Sequence, residues 1–139
     1  MFRTFFVFMA TTLFISGCAT QQQSLYEELG GAEKVNQIVE NFVIQIETDP
    51  TILPYFEGSD IDRFVEKLSE QICALTGGGC VYSGDTMEHV HAGMNITEAD
   101  FNRTVDLLIR AMDAADIPHR SQNKLLKVLA PTRKEMLYR

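Results

Sequence analysis

The stretch "DTMEHVHAGMNITEADF", Asp85–Phe101, holds two of the three histidines in the chain, His89 and His91, with only Val90 between them. Its second half is the plainer part. Thr97, followed three places later by Asp100, is the Thr-x-x-Asp form of a capping box, in which each side chain takes up an orphan amide of the other's turn, so a helix starts there. Phe101, Val105, Leu108, Ile109 and Met112 give that helix one apolar side. The histidines stand just ahead of it, on what the pattern predicts to be a very short helical piece. Side chains two apart on a helix point about 200° from each other, so there the two cannot share one metal ion. On an extended segment they could, with Cys80 or Asp85 completing a zinc set. A third arrangement makes His91 a satisfied core histidine that binds nothing.

The helical period recurs on both sides of this stretch, and no segment alternates apolar and polar over strand length. Val35, Ile38, Val39, Phe42, Val43 and Ile46 form a stripe on a helix that stops before Asp49-Pro50, because a residue ahead of proline is pushed out of helical geometry. Ile61, Phe64, Val65, Leu68, Ile72 and Leu75 form another, ending at the glycines Gly77–Gly79. A last helix is predicted from about Ser121 to Leu137, through Leu125, Leu126, Val128 and Leu129. Pro131 should kink it by removing one backbone bond and crowding the carbonyl of Lys127. The class is all-α. Two features sit badly in a plain four-helix bundle: the link from Gly77 to about Met87 is long, and Pro54-Tyr55-Phe56 puts a large ring at a corner where it must point inward.

At 139 residues the chain has room for one domain, large enough to bury about two thirds of its unfolded surface. Ahead of that domain, "MFRTFFVFMATTLFISGCAT" runs from one basic residue, Arg3, through an apolar segment to small residues, the layout of a secretory signal and short for a membrane span, with an uncleaved anchor or an ordinary signal peptide as the alternatives to a lipoprotein signal. Ile15-Ser16-Gly17-Cys18 resembles the bacterial lipobox, so Cys18 is expected to be the acylated residue of a lipoprotein. The expected division is residues 1–18 as signal, 19–23 as a polar tether and 24–139 as the folded domain. Ala19, rather than Asp, after the cysteine points to the outer membrane of a bacterial envelope, with the domain facing the periplasm.

The net charge is -7, and removing residues 1–18 takes away only Arg3, moving it to -8. Such a balance argues against nucleic acid as a partner, because phosphate binding needs clustered Lys and Arg. With Cys18 assigned to lipid, Cys73 and Cys80 remain, flanking "ALTGGG". Zinc sites usually place paired cysteines closer together, and export favours a disulfide, worth roughly 2–3 kcal/mol for so small a loop. Two buried thiols that never meet is the alternative.

Several short motifs, in order, carry a family resemblance. "LYEELGG" at Leu25–Gly31, "PYFEGSD" with Phe56, the pair Gly77-Gly78, "TMEHVHAGMNIT" and "LAP" in the last helix together resemble the group I truncated haemoglobins, the two-over-two globins, over roughly residues 24 to 137. The resemblance implies a helical sandwich around haem b, with His91 as the proximal iron ligand and His89 facing solvent. A ligand of that kind is a neutral imidazole whose other ring nitrogen is held by an acceptor. It also implies Phe56 against the porphyrin face, with Phe42, Phe64, Ile72, Met87, Phe101 and Leu129 lining the pocket. Lys67 matches a position near one haem propionate, and Tyr82 is placed for a second.

The chain departs from the family on the distal side. Where group I proteins commonly carry a tyrosine and a glutamine that hydrogen-bond the gas, this sequence has Val43 and Leu68. Thr104 is the hydroxyl placed nearest the pocket edge, and a helix hydroxyl usually bonds its own backbone. Donors to a bound gas contribute on the order of 1.5–3 kcal/mol, so their loss favours reversible binding of oxygen, nitric oxide or carbon monoxide over tight oxygen storage. Lys67 could act as a sixth ligand if a dry pocket lowered its pKa enough to leave it neutral. The competing readings are a haem enzyme for nitric oxide dioxygenation or peroxide chemistry, with an electron donor the sequence does not name, and a haem-free helical envelope protein.

Overall fold

The computed structural model describes residues 22–139; the signal segment, Cys18 and most of the tether lie outside the described residues. Ser24 opens the fold by capping α1 (Leu25–Leu29) through a reciprocal box with Glu27. Gly30, at φ 103°, ends α1 and starts α2 (Gly31–Glu47). Only glycine serves at that joint, because a Cβ would also meet Lys34 Cγ at 2.5 Å. Asp60 caps α3 (Ile61–Leu75) by accepting from the Arg63 amide. A long link leads to α4 (Met87–Val90), capped by Thr86. The capping box of Thr97 and Asp100 starts α5 (Glu98–Ala114), where the sequence puts it.

α2 is the hub, packed on both α5 and α3, while α1 packs on α2 and on α6 (His119–Leu129). The apolar stripes read from the sequence meet here: Ile38, Val39, Ile72, Ala111, Met112 and Leu125 have no exposed surface. Each of these side chains larger than alanine contributes roughly 1.5–3 kcal/mol by leaving water. Among the described residues the strand-like feature is one isolated bridge, Ile96 to Leu137, and the class is all-α.

The last helix differs from the expectation. Pro131 breaks it rather than kinking it, giving α6, a 3-10 turn over Ala130–Thr132, and α7 (Arg133–Met136). Proline has no amide to continue the helical ladder, so the chain tightens: the Arg133 amide bonds the Ala130 carbonyl, and the Thr132 hydroxyl takes up the Leu129 carbonyl at 2.7 Å. The break lets the final residues turn back. The Asn95 amide then bonds the Arg139 carbonyl at 2.9 Å, and the Tyr138 amide bonds the Ile96 carbonyl at 3.0 Å.

The corner between α2 and α3 is built on Asp49, 3% exposed. It accepts from the amides of Thr51 and Ile52, each at 3.0 Å, and from Arg103 Nε of α5 at 2.7 Å. Tyr55 Oη donates to Asp100 at 2.8 Å and ties the following 3-10 turn, Leu53–Phe56, to the start of α5.

Candidate functional site

α4 is four residues long and buries none of them, so packing does little to hold it. His91 is its C-cap, half-buried, with the backbone amide bonded to the Met87 carbonyl. Its Nδ1 lies 2.7 Å from that same carbonyl. A carbonyl can only accept, so Nδ1 carries the proton and Nε2 keeps its lone pair. Burial pushes the His91 pKa below the ordinary histidine value, with the Met87 bond pulling the other way, so the ring is neutral at neutral pH. His89 is exposed. Among the described residues no three His, Cys, Asp or Glu side chains converge as a metal site, and Cys80 is bonded to Cys73. The zinc arrangement on His89, His91 and Cys80 is therefore not formed.

The apolar residues assigned from the sequence divide into two sets. Phe42 and Ile72 are buried in the common core. Phe56, Phe64, Leu68 and Leu129 are half-buried against its edge, with Phe56 set edge-on to Phe64 at 5.0 Å and 80° between planes. Val43 joins Phe56 and Phe64 in lining a small cavity of about 180 Å³. Phe101 is half-buried, with the Arg133 guanidinium 5.7 Å from its ring centre. Thr104 donates to the Asp100 carbonyl at 2.9 Å, so its hydroxyl is spent on its own helix. Val43, Leu68 and Thr104 thus offer no free donor.

The polar residues are held by near neighbours. Lys67 Nζ is held by Glu66 at 2.6 Å, Glu70 at 3.1 Å and Ser83 Oγ at 2.8 Å. Glu66 foremost, and Glu70 with it, raises the Lys67 pKa against the effect of burial. Ligation through nitrogen would need the opposite shift, so the depressed, neutral Lys67 is not what this arrangement provides. Tyr82 Oη donates to the Asp85 carbonyl at 2.8 Å, and burial raises its pKa. Sequence reasoning missed three groups here. Glu70 accepts from the Ser83 amide and hydroxyl at 3.1 and 2.8 Å. Gln71 Nε2 reaches Met87 Sδ at 3.4 Å. Arg63 pairs with Asp85 at 3.4 Å. Only the Lys67–Glu70 spacing was a signal visible in advance, as a same-face pair on a helix.

The disulfide between Cys73 and Cys80, with Cα atoms 5.7 Å apart, starts the link that these bonds continue. Residues 80–87 are thereby fastened along α3 at several points. The chain thus offers a neutral imidazole at the end of α4 and, on α3 and the turn before it, a partly exposed aromatic and aliphatic edge, two features that a flat apolar group with an open metal valence requires.

Comparison with known proteins gives the same answer. The sequence model of the family described as "Bacterial-like globin" matches residues 24–138. The chain is similar to the group 1 truncated hemoglobin GlbN of Mycolicibacterium paratuberculosis, 32% identical over 113 residues, covering 81% of this chain and 83% of that protein. It is 28% identical over 115 residues to the group 1 truncated hemoglobin of Tetrahymena pyriformis, covering 83% and 95%. The crystal structure of that truncated hemoglobin in the Fe(III) form superposes with a TM-score of 0.80 at 27% identity, covering 84% of this chain and 100% of that one. From the family match and these likenesses, the chain belongs to the bacterial-like globins and is a haem-binding truncated globin of the two-over-two helical fold.

Proposed function

We propose that the chain binds haem b through His91 and reversibly holds a diatomic gas on a distal side without hydrogen-bond donors. The observation that carries this reading is the bond from His91 Nδ1 to the Met87 carbonyl. It fixes the tautomer and leaves Nε2 as the ligating atom, the second-sphere arrangement that a histidine on iron needs. The residues fit the group in other ways. Met87 and His91 would hold it from α4, and Phe56, Phe64 and Leu68 would cover its apolar face, all of them half-buried and available. Haem supplies an iron with one position left for a gas ligand.

The chain's own residues then shape what that position prefers. Val43 and Leu68 exclude water but donate nothing, so oxygen loses stabilisation that carbon monoxide and nitric oxide need less. We place the domain in a bacterial envelope, tethered by an acylated Cys18 and facing the periplasm from the outer membrane. In an absorption test on residues 19–139, wild type and His89→Ala should show the same ferric, ferrous and carbonyl spectra. His91→Ala should lose haem or hold it loosely. Equal loss in both variants would reject His91 as the axial ligand.

A further inference from the structure

We propose that Glu70 is a positioning residue for His91, acting through Ser83 and a closed turn over Gly84 to fix α4 against α3. The inference rests on His91 being the axial ligand. α4 lacks a buried residue of its own and meets α3 directly through one weak bond, Gln71 Nε2 to Met87 Sδ at 3.4 Å, so its position relative to α3 rests mainly on the link that precedes it.

The structure supplies such bonds at intervals along that link. On α3, Glu70 Oε2 accepts from both the amide and the hydroxyl of Ser83, at 3.1 and 2.8 Å. Lys67 braces the pair, reaching Glu70 Oε1 at 3.1 Å and Ser83 Oγ at 2.8 Å. Charge-assisted bonds of this kind are the stronger ones. The Ser83 hydroxyl foremost, then its amide and Lys67, lowers the Glu70 pKa, so the acceptor is ionised at neutral pH.

From Ser83 to the cap of α4 there are only Gly84 and Asp85. Tyr82 Oη bonds the Asp85 carbonyl at 2.8 Å and closes that turn. Its ring lies so close that a Cβ on Gly84 would meet the hydroxyl at 2.3 Å and ring carbons at 2.5 and 2.7 Å. The turn therefore tolerates no side chain while Tyr82 stays in place. Thr86 then caps α4, its hydroxyl taking the His89 amide at 3.3 Å and its carbonyl the Val90 amide at 3.0 Å. The Met87 carbonyl holds His91 Nδ1. Between these bonds the chain from Ser83 to Thr86 is three peptide steps long, so little slack separates Glu70 from the imidazole.

The test compares Glu70→Ala, Glu70→Gln and Gly84→Ala with wild type by three readouts. These are transfer of haem to excess apomyoglobin, the iron–histidine stretching band in the resonance Raman spectrum, and amide exchange in the haem-free chain. Glu70→Ala and Gly84→Ala should transfer haem about tenfold faster, the size seen when a partner that orients a metal ligand is lost. Both should shift or broaden the iron–histidine band, and both should speed exchange at His89, Val90 and His91 while leaving α5 unchanged. Glu70→Gln keeps an acceptor for Ser83 and should fall between Glu70→Ala and wild type on every readout.

Unchanged band position and unchanged exchange at α4 in Glu70→Ala and Gly84→Ala would overturn the proposal, even if thermal stability fell. Absence of an iron–histidine band in wild type would reject His91 itself, a different failure.

Discussion

At the scale of single residues, the gas affinity we propose turns on side chains that lack a hydrogen-bond donor. Val43 lines the small cavity beside Phe56 and Phe64, and Leu68 packs on the core edge. Replacing them by Val43→Tyr and Leu68→Gln should slow oxygen release about tenfold or more, the size expected for one or two restored donors. Stopped-flow measurement of release checks this, and wild type already as slow as the double variant would refute the placement of both residues. Carboxylates set a second residue-scale behaviour. Burial raises the Asp49 pKa, but Arg103 and the amides of Ile52 and Thr51 outweigh it and leave it lowered. Asp100 is lowered by Thr97 first and Tyr55 after it, and Glu70 by Ser83. For all three the folded pKa lies below the unfolded one. Their stabilisation is therefore present above about pH 4 and lost as pH falls through the depressed values. The thermal midpoint should stay level from neutrality to about pH 5 and fall below about pH 4, less steeply in Asp49→Asn. A midpoint that rises on acidification would contradict these assignments.

At the scale of elements, most of the helices were legible because their signals are local. The Thr97 box, the stop before Asp49-Pro50 and the glycines after Leu75 each act within one turn, and the structure places α5, α2 and α3 accordingly. What could not be read were contacts between distant positions. Arg103 meets Asp49 across 54 residues, and Ser83 meets Glu70 across 13. Neither pair has a sequence signature, because any exposed serine or arginine looks alike until the chain folds. Pro131 was half-legible: its missing amide is local, but whether a helix kinks or ends depends on what the following residues can bond, here Ile96 and Asn95. The candidate site divides the same way: His91 stands within a short local motif, whereas the bonds between Glu70 and Ser83 join distant positions. The disulfide belongs at this scale too, since it joins the end of α3 to the link before α4. Exported material alkylated without reduction should carry no added groups at Cys73 and Cys80, and Cys73→Ser/Cys80→Ser should lower stability by roughly 2–3 kcal/mol. Two added groups by intact mass would show free thiols instead.

At the scale of the whole molecule, a helical domain with a core centred on α2 presents its histidine at the edge. No helix among the described residues is long and apolar enough to cross a membrane; the attachment we propose is through an acylated Cys18. Full-length protein should float with membranes in a density gradient, and Cys18→Ser should remain in the soluble fraction, since acyl chains contribute about 0.8 kcal/mol per buried methylene. Flotation of both forms alike would exclude the lipid anchor. The pairing of Asn95 and Ile96 with Leu137–Arg139 bears on timing. A chain threaded through an export pore from its N-terminus delivers residues 137–139 after α1–α7 have already emerged. The turn that follows His91 is closed by those late arrivals, so the wall carrying the histidine is completed after α1–α7. On the export route we propose, haem would then be captured on the far side of the membrane, tying the supply of this globin to the free haem of the envelope itself.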